Sequence, residues 1–276
     1  MKVQFDLSGH DPIPKIIHVS WKSKDVLQQQ SPMILNGWAN LKSLNPDYKF
    51  EISDDTDVEL YLKKHLKKWD YFKIKNKKIV EKVDLWRLFK MYHEGGIYVD
   101  IDRYCNIPFD QIIKEETRCI LPTHEDIDFS QDLMISTRHN PLYKAAIKDN
   151  LKNRFLVNPR GVFHLGPPLY MKTVTKVVFG EKKKRRPGSA IMNAYRQALK
   201  EDPHFQTYKE ELPNNSLLFK YDKKSFKKGD GMTKEEFYKS QKIVPWSKGY
   251  DKNTMLILGI ITAVIIISLA VTIMRV

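Results

Sequence analysis

Between Asp84 and Asp102 the chain reads Asp-Leu-Trp-Arg-Leu-Phe-Lys-Met-Tyr-His-Glu-Gly-Gly-Ile-Tyr-Val-Asp-Ile-Asp. No other stretch restricts the fold as much. Its first part predicts an amphipathic helix, the two glycines a turn, and Ile97, Tyr98, Val99 and Ile101 a short strand of sheet-favouring residues. The strand ends in two carboxylates, Asp100 and Asp102, which point to one face if the strand runs through both. Carboxylates so placed can share a hard divalent cation, Mn2+ or Mg2+, and leave coordination positions open for phosphates. Upstream, Asp84 and Arg87 stand three residues apart and share a helical face. The bland alternatives are a solvated strand-end turn for the aspartates and a weak surface ion pair for Asp84 and Arg87.

The rest of the chain alternates in the same way. Ile16–Trp21 predicts a buried strand entered through Pro12 and Pro14. A helix is expected over Pro32–Asn45, with Ser31 as N-cap and proline at its first position. Phe50–Ser53 predicts a second strand, and Asp54 or Asp55 caps a helix over Val58–Trp69. A lysine-rich loop or strand, Lys73–Lys78, leads to a helix over Ile79–His93, which Gly95-Gly96 ends in the left-handed conformation. Strands near Arg118–Pro122 and Leu133–Ser136 and a helix near Leu142–Lys152 follow. Gly161–Pro168 reads as a turn-rich loop, Lys182–Gly188 as a basic loop, and Leu212–Gly249 as irregular and in part a tether. The pattern predicts an α/β fold, a Rossmann-type, mainly parallel sheet flanked by helices. Ligands bind such sheets at the carboxyl ends of the strands, where both Trp21 and the Asp100/Asp102 pair are expected.

Composition narrows the partners. A chain of 276 residues with net charge +14 builds one substantial core. Its lysine runs attract anions: nucleic acid, acidic lipid headgroups or nucleotide sugars. A solvated lysine surface is the plain alternative. Nucleic acid is disfavoured, because no interleaved aromatics or recognised binding module accompany the charge. Cys105 and Cys119 are too few for a disulfide framework or a zinc site. Met255–Met274 carries no charge and has the length of a bilayer-spanning helix. The expected layout is therefore a domain over 1–240, a juxtamembrane linker over 241–254 and a transmembrane helix over 255–274. Met1–Ser20 lacks a signal-peptide pattern. With Lys248 and Lys252 before the span and Arg275 after it, the expectation is a single-pass anchor with the domain on the cytosolic side.

Several blocks together carry a resemblance. Asp84-x-x-Arg87, the hydrophobic helix and Gly-Gly-Ile-Tyr-Val-Asp-Ile-Asp resemble the Asp-X-Asp sugar-transferase family. That family includes fungal α-1,6-mannosyltransferases and inositol-phosphorylceramide mannosyltransferases. Ile13-Pro-Lys-Ile-Ile-His-Val-Ser-Trp21 is similar to its first strand, and Asn45-Pro-Asp-Tyr48 with Phe50-Glu-Ile52 to its second. Gln131–Ser136, Arg138–Pro141 and Leu165–Pro167 fall where the family has similar segments, so the likeness spans residues 11 to 175.

The resemblance implies a GT-A glycosyltransferase fold and a retaining transfer of a hexose from a nucleotide sugar. GDP-mannose is the favoured donor, UDP-sugars stand as alternatives, and the acceptor is a glycan or glycolipid. It implies Asp100 and Asp102 as ligands of Mn2+ or Mg2+. Trp21, Asp84, Arg87 and Gln131 would hold the donor, and Asp132 would stabilise the oxocarbenium-like transition state. Relatives complete the metal site with a histidine, where Ile243-Val-Pro-Trp-Ser-Lys248 has none. His124 and His164 are unassigned. The likeness also implies a domain in the Golgi or ER lumen, against the cytosolic reading above. The competing classes are a catalytically impaired membrane-tethered binding protein on the same scaffold and a basic nucleic-acid-binding protein.

Overall fold

The computed structural model describes residues 1–25, 32–124, 127–152, 166–181, 187–210, 218–220 and 252–273. Ser31, residues 161–165 with His164, the run Lys182–Arg186, and residues 221–251 including Ile243–Lys248 lie outside the described residues.

The first half consists of β1 (Ile16–Ser20), α1 (Pro32–Leu44), β2 (Lys49–Ser53), α2 (Asp55–His65), α3 (Lys68–Ile74), α4 (Ile79–His93) and β3 (Gly96–Val99). Then come β4 (Arg103–Cys105), β5 (Cys119–Ile120), β6 (Thr123–His124), β7 (Asp128–Phe129), β8 (Leu133–Ser136) and α5 (Pro141–Lys152). The rest is α6 (Pro167–Phe179), α7 (Ser189–Lys200), β9 (Phe205–Gln206), β10 (Lys209–Glu210), β11 (Leu218–Lys220) and α8 (Lys252–Ile273).

The main sheet has six strands in the order β2-β1-β3-β8-β5-β9. β1 is parallel to both β2 and β3, and β5 to β9, whereas β8 runs antiparallel to β3 and β5. The mixed, mainly parallel sheet expected from the sequence is borne out. Its period-two pattern divides the core. Ile17, Val19, Ile97 and Val99 face a cluster built with α1, while Tyr98 and Met134 face a larger cluster built with α2, α4, α5, α6 and α7.

Two glycines join helix to sheet. Gly95 and Gly96 have φ of 62° and 88°, conformations that a side chain resists. A Cβ on Gly96 would also stand 2.5 Å from the Ile16 carbonyl oxygen. This close approach lets β3 lie directly against β1, with His18 opposite Tyr98.

Four expectations are corrected. The helix expected over Val58–Trp69 is two helices: α2, capped by a reciprocal Asp54–Asp57 box, and α3, which carries Trp69. Leu66 (ψ 145°) and Lys67 (ψ 150°) are extended and break the run. Lys73–Lys78 is accordingly the end of α3 and a turn, not a strand. Helix α4 is not amphipathic, because residues on every side of it from Glu81 to Met91 are buried between sheet and neighbouring helices. Within the stretch expected to be irregular, 218–220 is a strand, antiparallel to β4 with Lys220 opposite Arg103.

At the C-terminus, α8 is one helix of 22 residues, starting three residues before the expected span. With side chains described in it only at 256 and 259–268, no helix among the described residues is long and apolar enough to cross a membrane.

Candidate active site

The parallel register of β1, β2 and β3 brings their carboxyl ends to one edge of the sheet, where Trp21 and Asp100 both follow their strands. β3 stops at Val99. Asp100 and Asp102 therefore stand in a turn rather than on the strand, the Arg103 amide donating to the Asp100 carbonyl at 3.0 Å. The chain reverses there so that β4 can begin at Arg103. Asp100 is partly open, its side chain 31% exposed, and Asp102 is buried.

Arg87 organises this corner from α4. Its guanidinium lies 3.1 Å from Asp84 Oδ1 and 3.4 Å from Asp100 Oδ1, and donates to the Gln131 carbonyl at 2.8 Å. Its plane also sits 4.6 Å from the centre of the Tyr98 ring. Burial works against the Arg87 charge. The carboxylates of Asp100, Asp84 and Asp132 oppose it and hold its pKa above the ordinary arginine value. Burial raises the Tyr98 phenol well above its usual range, so it stays protonated and donates a hydrogen bond to Asp100 Oδ1 at 2.5 Å.

β8 supplies the other wall. Because β8 pairs antiparallel with β3, the Asp100 amide meets the Asp132 carbonyl at 2.9 Å. The Asp132 carboxylate is paired with the buried guanidinium of Arg103. Gln131 is 2% exposed, yet neither its Oε1 nor its Nε2 has a hydrogen-bond partner among the described residues, and the same holds for Arg87 Nε. Buried polar atoms left this way are costly, about 1–3 kcal/mol each, and scarce in folded proteins. Three in one corner leave the network open to further polar partners.

The structure thus brings together Asp84, Arg87, Asp100, Gln131 and Asp132 of the residues singled out in the sequence. Trp21 lies at the same edge, half-buried against the α1-side cluster, its amide donating to the Ser53 carbonyl at 3.0 Å. Tyr98 and Arg103 were missed. Tyr98 was legible in principle, since it stands two residues before Asp100 and so shares its face. Arg103 carried no local signal, as its partner is 29 residues away.

The donor set suits a divalent ion. Three carboxylates, Asp84, Asp100 and Asp132, stand here with two guanidiniums, Arg87 and Arg103, and Asp102 follows Asp100 by two residues in the same turn; the hard oxygens are of the kind that Mn2+ and Mg2+ prefer. Among the described residues, the three side chains close enough to share an ion lie elsewhere: His18, Glu51 and Glu94. That cluster already holds a cation. Lys90 Nζ lies 3.3 Å from Glu51 Oε2 and 2.8 Å from Glu94 Oε1. His18 is a polar group inside the strand: Nε2 lies 2.9 Å from the Gly95 carbonyl and Nδ1 3.3 Å from Glu51 Oε2.

Over residues 34–119 the chain matches the family described as glycosyltransferase sugar-binding region containing DXD motif, so this segment carries the resemblance read from its motifs. Inositol phosphoceramide mannosyltransferase 1 of Schizosaccharomyces pombe is 26% identical over 166 residues, 58% of this chain and 50% of that protein. Mannosyl phosphorylinositol ceramide synthase CSH1 of Saccharomyces cerevisiae is 28% identical over 168 residues, 59% of this chain and 43% of its own length. The chain thus spans half or less of the length of the curated relatives it matches. The solved PaToxG Glycosyltransferase aligns with a TM-score of 0.43 at 16% identity, over 85% of this chain and 86% of that one.

Proposed function

We propose that the chain is a metal-dependent retaining glycosyltransferase that moves a hexose from a nucleotide sugar to a glycan or lipid-linked acceptor. Mannose from GDP-mannose is favoured, with UDP-sugars as the alternative donors. The observation that carries this reading is the corner where Arg87 gathers Asp84, Asp100 and Gln131 around buried polar atoms that lack partners among the described residues. The relatives named above support the choice of sugar and of a lipid-linked acceptor.

Asp100 and Asp102 would hold Mn2+ or Mg2+, which when bound offsets the charge of a departing nucleoside diphosphate. The protein's own groups do the rest. Tyr98 and Arg87 fix the Asp100 carboxylate in one rotamer, which lowers the entropy lost on binding. Asp84, the Gln131 amide and Arg87 Nε present donors and acceptors to sugar hydroxyls and phosphate oxygens. Asp132, paired with Arg103, offers its carboxylate to an oxocarbenium-like centre. Trp21 offers an aromatic face to the base.

We also propose that α8 anchors the domain in a membrane. In the sequence, Met255–Met274 contains no charged residue and matches the roughly 20 residues that a hydrocarbon core of about 30 Å calls for. Protease protection in sealed vesicles reads which face carries the domain.

The test is release of nucleoside diphosphate by the full-length protein from a panel of nucleotide sugars with Mn2+. One donor should be consumed, and chelation should stop it. A folded protein that neither hydrolyses nor binds any donor would instead be a scaffold turned to binding.

A further inference from the structure

Helices α2 and α3 sort their charges by side. Between Leu60 and Lys78 the chain has eight lysines and one aspartate. The acids are spent on internal partners: Asp70 pairs with Lys73 at 2.8 Å, while Glu59 accepts from the Tyr71 hydroxyl and pairs with Lys82. Lys63, Lys64, Lys67, Lys68 and Lys75 are exposed. Among them stand Leu60, Trp69 and Phe72, exposed at 59%, 63% and 43%. Trp69 and Phe72 stack on each other, centroids 5.6 Å apart and planes 16° apart. Lys75 Nζ lies 4.7 Å from the Phe72 ring centre. The inward residues of α3, Tyr71 and Ile74, pack on the core, so the helix itself is well seated.

We infer that this face of α2 and α3 rests on an anionic lipid bilayer. Aromatic bodies with polar tips sit at headgroup depth, and lysine stems lie along apolar surface while their charges meet lipid phosphates. The excess of exposed lysine selects an anionic partner. Polynucleotide fits less well, because base stacking needs open aromatic faces and each of these rings already spends one face on the other. The inference rests on this surface alone and does not depend on turnover at the candidate site.

The test uses the full-length protein with vesicles of brominated phosphatidylcholine, with and without phosphatidylserine, read by tryptophan emission. Subtracting the Trp69→Phe protein removes the other four tryptophans, including any near α8. Trp69 should be quenched on anionic vesicles and much less on neutral ones. Replacing Lys63, Lys64, Lys67 and Lys68 by Glu should raise the lipid concentration needed at least about tenfold, with an unchanged circular dichroism spectrum. Unquenched Trp69 on anionic vesicles, or equal quenching on neutral ones, overturns the inference. So does capture of a single-stranded oligonucleotide at physiological salt by a face that ignores vesicles.

Discussion

Two buried charged networks share one face of one sheet, and they differ in what they leave over. In the first, Lys90 bridges Glu51 and Glu94, the Tyr61 hydroxyl donates to Glu94 at 2.8 Å, and His18 stands between Glu51 and the Gly95 carbonyl. Its charges answer one another, and only His18 Nδ1, 3.3 Å from Glu51 Oε2, lacks a hydrogen bond among the described residues. In the second, Arg87 joins Asp84, Asp100 and Gln131, yet carboxylates outnumber guanidiniums, and three buried polar atoms have no partner among the described residues. A closed network is architecture. An incomplete one suits the proposed binding role, because there a polar ligand finds groups not already spent.

The sharpest way to break this contrast is to disable each network in turn. Asp100→Ala or Asp102→Ala should lower donor turnover on the order of 10²–10³-fold, from the charge stabilisation lost. Asp100→Ala also takes the acceptor from the buried Tyr98 hydroxyl and a counter-charge from Arg87, so that variant should lose about 1–3 kcal/mol of stability, with turnover the far larger loss. Lys90→Ala should do the reverse. Removing the cation leaves two carboxylates facing each other, a loss of about 3 kcal/mol, the low end for a buried pair since both glutamates keep some water. Activity per folded molecule should survive. Equal effects of the two changes on melting and on turnover would erase the distinction.

Gln131→Leu tests the incomplete network from inside. Replacing an amide without partners by an apolar side chain of similar size should stabilise the protein by about 1 kcal/mol. It should also raise the Michaelis constant for the donor about tenfold. Destabilisation in urea melts would mean that the amide is already satisfied in the free protein.

The smallest expected effect is a pH dependence at the edge opposite Asp100. His65 and His93 stack with centroids 4.5 Å apart. Burial first, then the neighbouring histidine charges, hold both below the ordinary histidine value. The folded chain thus favours neutral rings. Above about pH 6.5 both states are neutral and the contribution is complete. As the pH falls below that, the unfolded chain binds protons first and stability declines towards the lowered folded values. His93→Phe should flatten the urea midpoint between pH 7 and pH 5, read against about 6.5 for a free ring.

Much of the fold was legible because its signals are local. The Asp84–Arg87 spacing, the Gly95-Gly96 turn and the ends of α4 all appear where periodicity and turn chemistry place them. Where the reading failed, the deciding partner was far away in sequence. Nothing near Leu66 and Lys67 breaks a helix, so the join of α2 and α3 went unread. Ile101 has the composition of a strand residue, but β4 pairs with residues more than a hundred positions on, and the chain must turn at Asp100 to reach that pairing. The site residues were found as types in a motif. Their division into satisfied and unsatisfied groups depends on distances that no spacing encodes.

The pairing of β4 with β11 also sets a schedule for synthesis. Arg103 and Lys220 stand opposite each other, so at ~5–20 residues per second the first leaves the ribosome roughly 6–23 s ahead of the second. During that interval the nascent chain presents the bare edge of β4 beside Asp102, a template for any passing strand. Chaperone occupancy of nascent chains should therefore peak after β4 emerges and fall once residue 220 is clear of the tunnel.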